Sequence, residues 1–147
     1  MKCATYRTFP MSKSNAFETD VLSKTFLDTE FSWLPLAQVY LSLHTADPGD
    51  AGSQTSNEAA YPSYARVAVP RGDTGWTVIG NQATNAAKIE YPTCTGATEE
   101  ILTHFSIGVA ASGAGQLLYS GELAAPLSMA VNIRPEFAAS ALTITED

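Results

Sequence analysis

The chain has few of the residues from which active sites and cross-links are usually built. Its 147 residues include two cysteines, Cys3 and Cys94, and two histidines, His44 and His104. No Cys or His spacing marks a zinc site, and two lone thiols fit a reducing cytoplasm better than a disulfide framework. Basic residues are scarce as well: eight Lys and Arg stand against 15 Asp and Glu, a net charge of -7. That balance excludes nucleic acid as the main partner, because phosphate recognition needs a basic surface. No apolar run reaches the roughly 18 residues of a membrane span, so no membrane partner is expected. An apolar segment followed by a small-residue cleavage site is also missing, and no signal peptide is expected.

What remains is an ordinary folded composition, 45% hydrophobic and 16% charged, at a length that favours one domain. The charge is uneven. Lys2, Arg7 and Lys13 all precede the first acid, Glu18. Residues 1–13 have no hydrophobic period and include Pro10, so they read as a basic N-terminal arm that only a partner would order. Residues 14–147 read as a single β domain that carries an N-terminal helix.

That helix is predicted over 15–27. Asn15 and Glu18 have the spacing of a capping box, and Phe17, Val21, Leu22, Thr25 and Phe26 recur on one face. A connector, 28–35, follows with Phe31, Trp33 and Leu34 as anchors. The period then changes to two: Val39, Leu41 and Leu43 alternate with Tyr40, Ser42 and His44. Further strands are predicted at 64–69, 75–79, 87–91, 101–109, 116–120, 127–133 and 141–145, separated by turn formers such as "DPGD", "RGDTG", "GN" and "ASGAG". The fold class is all-β: an antiparallel β-sandwich, with a jelly roll as one form, and one helix. Residues 51–63 form the longest polar loop and are expected to be mobile.

The candidate chemical sites fail one after another. His44-x-x-Asp47-x-x-Asp50 has too few donors for a metal, whereas Asp47-Pro48-Gly49-Asp50 is a strong exit turn, with Gly supplying positive φ. No G-x-S-x-G elbow is present, and Gly113-x-Gly115 reads as a hairpin rather than a dinucleotide loop. Glu99 and Glu100 are adjacent on a strand and so face opposite ways. A hydrolase would need a pocket with a carboxylate pair or a His-based dyad, and neither is marked. Arg71-Gly72-Asp73 is a turn in this context. Tyr61, Tyr64 and Trp76 form either a sugar-binding face or cross-strand pairs. No catalytic, cofactor-binding or metal-binding residue is assigned, and the chain is expected to be non-enzymatic.

Taken in order, "MSKSNAFETDVL", "VYLSLHTADPGDAGSQTSNEAAY", "YARVAVPR", "GWTV", "THFSIGVAASGAGQLLYSGEL" and "ALTITED" resemble a family of small tailed-bacteriophage structural proteins, usually labelled phage structural or tail-fibre-like. The resemblance covers residues 11–147 and implies a place in the virion after synthesis in the host cytoplasm. The compact domain, lacking coiled coil and fibrous repeat, favours a capsid decoration or cement protein. A tail component (fibre base, adaptor or baseplate part) is the alternative, and a host-glycan-binding module is a third reading. The expected partners are the major capsid protein or tail proteins and further copies of the chain. Lys2, Arg7, Lys13, Phe17 and Val21 are the candidate contacts.

Overall fold

A computed structural model describes residues 11–146. In chain order these form β1 (Ser12–Lys13), α1 (Asn15–Leu27), β2 (Gln38–His44), β3 (Val67–Pro70), β4 (Trp76–Ile79), β5 (Gln82–Asn85), β6 (Ile89–Glu90), β7 (Ile101–Gly108), β8 (Leu117–Ser128), β9 (Glu136–Phe137) and β10 (Thr143–Thr145). One sheet runs β1-β8-β7-β2-β3, a second β10-β5-β4, and β6 pairs with β9. Every pairing is antiparallel. The all-β sandwich with one N-terminal helix is what the chain forms. Its division into sheets of five, three and two strands differs from the eight strands of a jelly roll.

Val39, Leu41 and Leu43 face the core, as the period of two predicts. In register with them lie Val69, Ile107 and Phe105 respectively. Tyr61, Tyr91, Leu102, Phe137 and Leu142 complete this layer, each no more than 1% exposed, and the Phe105 and Phe137 rings meet edge to face at 5.5 Å. The exit turn also forms. Gly49 has φ 77°, and its N–H donates to Asp47 Oδ1 at 2.8 Å. The Asp50 carbonyl then accepts from Asn15 N–H at 2.9 Å, which ties the turn to the start of α1.

The opposite face of β2 is buried too, which a simple alternation does not anticipate. Ser42, His44, Ser106 and Gln54 are all 0% exposed, because residues 51–63 lie across that face. The segment expected to be mobile is therefore a packed cover. Gln54 Oε1 accepts from Ala110 N–H at 2.9 Å, while its Nε2 donates to Ser42 Oγ at 3.2 Å. A side chain at Gly108 would meet Gln54 Cδ at 2.2 Å, so only glycine admits the crossing. At the edge of the cover Glu58 grips Arg66 bidentately, at 2.6 and 2.7 Å. Arg66 in turn donates to the carbonyls of Ala110 and Gly113, at 2.9 and 2.7 Å, and so pins the β7–β8 hairpin loop.

Several local expectations are corrected. The helix cap is Ser14, not Asn15: its Oγ accepts from Phe17 N–H at 3.1 Å, with no contribution from Glu18. Ser14 holds the extended conformation a cap needs because its own N–H is bound to Leu118 O at 3.1 Å. The strand read at 127–133 does not exist as such. Leu127 and Ser128 end β8, and the chain then turns through Asn132, whose φ is 68°. Residues 82–85 and 136–137, not read as strands, are β5 and β9. Finally, Ser12 and Lys13, the last residues of the expected arm, pair with Ser120 and Tyr119 of the chain's own β8. Lys2 and Arg7 lie outside the described residues.

Candidate functional site

An apolar groove of about 290 Å³ lies between the five-stranded and three-stranded sheets. Val39, Ile107, Leu118 and Tyr119 line it from the larger sheet, and Trp76, Val78, Ala83 and Ile144 from the smaller. Phe17 of α1 and Trp33 of the connector line it as well, with Arg71 and Gly72 from the β3–β4 turn. Consecutive residues of β8 can both line it because the β7–β8 ladder slips there. Gly108 pairs with Leu117 and Ile107 with Tyr119, leaving Leu118 as the extra residue of a bulge.

An aromatic cluster builds one wall. Phe17 meets Tyr119 edge to face at 5.3 Å and lies 6.3 Å from Trp33, which stacks on Phe31 at 5.0 Å. The Arg71 guanidinium sits 5.3 Å from the Trp33 ring, within cation–π range, and donates to Leu36 O at 2.9 Å. Among the described residues Arg71 is the one Lys or Arg without a carboxylate partner. Trp33 adds a second unmet group, because its Nε1 is buried without an acceptor. That N–H is closed off from the groove, so the groove itself offers a greasy space with a spare cation, which suits an apolar group that carries negative charge.

Exposed apolar side chains also stand on α1 and β4. Helix α1 buries none of its residues. Its predicted face splits in two: Phe17 and Val21 are half-buried, while Leu22, Phe26 and Leu27 are 59%, 76% and 73% exposed. On β4, Val78 and Ile79 are 71% and 76% exposed. Lys13 pairs with Glu146 at 2.6 Å, and Glu146 also accepts from Tyr119 Oη. Burial opposes ionisation of Glu146, but Lys13 and Tyr119 together hold its carboxyl below the usual range.

The remaining candidates resolve into structure. Tyr61 is buried against Tyr64, ring centroids 5.3 Å apart, so the three aromatics do not form one face; only Trp76 reaches the groove. His44 and Ser106 do form a Ser–His pair, Nε2 to Oγ 2.7 Å, but both are fully buried beneath residues 51–63. The second ring nitrogen of His44 meets Ser56 O at 2.8 Å, and burial lowers its pKa. Glu100 accepts from Ala60 N–H at 2.8 Å and so anchors the same cover. Among the described residues no three His, Cys, Asp or Glu side chains are placed to hold a metal ion. Sequence reasoning missed Arg71, Tyr119 and Val78. The available signal was Trp33, read only as an anchor.

Comparison with protein families supplies the context for this surface. The chain belongs to the family described as Podophage GP4 fiber I protein gp80. The family model matches residues 12–145, nearly the whole chain. No curated protein matches it. As a member of this fibre family the chain is a phage structural protein of fibre or tail type, and its place is the virion.

Proposed function

We propose that the chain is a non-enzymatic component of the phage tail apparatus, a fibre-associated subunit that docks other virion proteins through the apolar surface around α1. The observation that carries this reading is the helix itself. It packs on the core through the half-buried Phe17, fully buries none of its residues, and leaves Leu22, Phe26 and Leu27 exposed. Exposed large apolar side chains clustered on one short helix mark an interaction site. The capsid-decoration placement favoured by the sequence gives way to the tail alternative, which the fibre description of the family supports better. A host-glycan module is less well supported, because sugar recognition needs convergent polar groups and the groove is lined almost wholly by apolar side chains.

Tagging the chain and locating it in intact particles by electron microscopy tests the placement. Density at the tail or fibre bases is expected. Density repeating over the capsid lattice would restore the decoration reading and overturn this one.

A further inference from the structure

We infer that the groove is the receptor for the C-terminal end of α1 from a second copy of the chain. The inference rests on that reading of the apolar surface and deepens it, since it names a further copy of the chain as the neighbour there; the tail placement has its own separate test.

The groove lacks two things, and the helix end supplies both of them. It lacks filling: about 290 Å³ of apolar space stands open between Trp33 and Trp76. The exposed side chains of Phe26 and Leu27 are apolar, adjacent and without cover. It lacks an anion, since Arg71 is the unpaired cation. The helix end carries Asp28, with its side chain 98% exposed, and Glu30, 69% exposed. Both share the single Lys24, so that end keeps a net negative charge, which the helix dipole reinforces.

The helix end cannot serve its own groove. Phe17, nine residues before Phe26, already lines that groove, and nine residues of helix span about 14 Å. Phe26 therefore points to a groove elsewhere, and the same sequence provides one on every copy. Such a contact is heterologous, the ridge of one subunit in the groove of the next. It builds a ring where the rotation closes.

Both tryptophans of the chain, Trp33 and Trp76, line the groove, so their fluorescence reports its filling. The test uses the full chain in analytical ultracentrifugation and in a fluorescence dilution series. The expected result is a mass above the 15.6 kDa of one chain, with a red shift in emission as dilution drives dissociation. Phe26→Asp and Arg71→Glu should each weaken association about tenfold or more. Combining Arg71→Glu with Asp28→Arg and Glu30→Arg should restore it. Circular dichroism confirms the fold of each variant, and the exposed Phe26 site protects the test should Arg71→Glu unfold. A chain that is monomeric throughout, or an oligomer indifferent to Phe26→Asp, would overturn the inference.

Discussion

The two faces of the five-stranded sheet are finished in opposite ways. On the outer face residues 51–63 lie over Ser42, His44 and Ser106, and each of these polar side chains has a hydrogen-bond partner. On the inner face, towards α1, the sheets leave an apolar groove with an unpaired Arg71 and an orphan Trp33 Nε1. Buried polar groups are costly when unpaired and steady a fold when paired, so the outer face is closed by the chain's own design. Among the described residues two buried side-chain atoms lack a partner, Trp33 Nε1 near the groove and Tyr91 Oη in the core. What sets the groove apart is its open apolar lining beside Arg71, the one described cation without a carboxylate, and these mark it as a surface awaiting a neighbour.

The sharpest break of this comparison is at the closed face. Arg66 has a side chain only 2% exposed, and Glu58 is its carboxylate. Glu58→Ala would strand a buried cation, and it should cost about 3–5 kcal/mol in urea unfolding. A loss below about 1 kcal/mol would mean the cover is not part of the fold's stability.

His44 makes the same point through pH. In the unfolded chain it titrates near 6.5, while burial lowers its folded pKa; the Glu58 carboxylate works against that shift, and His104 and Arg66 add to it. Below pH 6.5 the unfolded state therefore binds a proton that the folded state refuses. Stability should be complete above that pH and fall beneath it, by up to about 1.4 kcal/mol per pH unit. Thermal unfolding between pH 7.5 and 5 measures this, and His44→Gln should flatten the decline. An equal slope in the variant would remove His44 as its source.

How much of this could be read from the sequence depended on whether neighbours or distant segments decide the outcome. Val39, Leu41 and Leu43 alternate strongly enough to mark β2, and the turn at Gly49 follows from Asp-Pro-Gly chemistry alone. The strand Gln82–Asn85 carries no apolar alternation; it is a strand because Trp76–Ile79 and Thr143–Thr145 flank it. Ser42 and His44 sit at positions that alternation assigns to solvent, and only the fold shows residues 51–63 covering them. The groove was the least legible part, since its walls come from segments as far apart as Phe17 and Ile144. Phe17 and Val21 were singled out as contacts on periodicity. Phe17 became a wall of the groove, while the exposed ridge lies one helical position further round, at Leu22 and Phe26.

A smaller effect is expected at the exit turn of the closed face. A Cβ at Gly49 would meet nothing within 4 Å, so its φ of 77° is the whole constraint. Gly49→Val should then cost about 1 kcal/mol or somewhat more, from backbone strain alone. An unchanged melting temperature would show that the turn relaxes into another conformation.

The smallest effect belongs to the open face. Leu22 is 59% exposed and no residue of its helix is fully buried, so removing its side chain returns little apolar area to water. Leu22→Ser exchanges a good helix former for a middling one, and that alone should cost no more than about 0.5 kcal/mol. The measurement belongs at chain concentrations low enough to keep the protein monomeric, where no neighbour adds stability by mass action. A near-neutral result beside the several kcal/mol lost at Glu58 would show that the ridge is carried for contact and not for folding. A loss above about 2 kcal/mol would instead place Leu22 in the subunit's own core, and the contrast between the two faces would fail there.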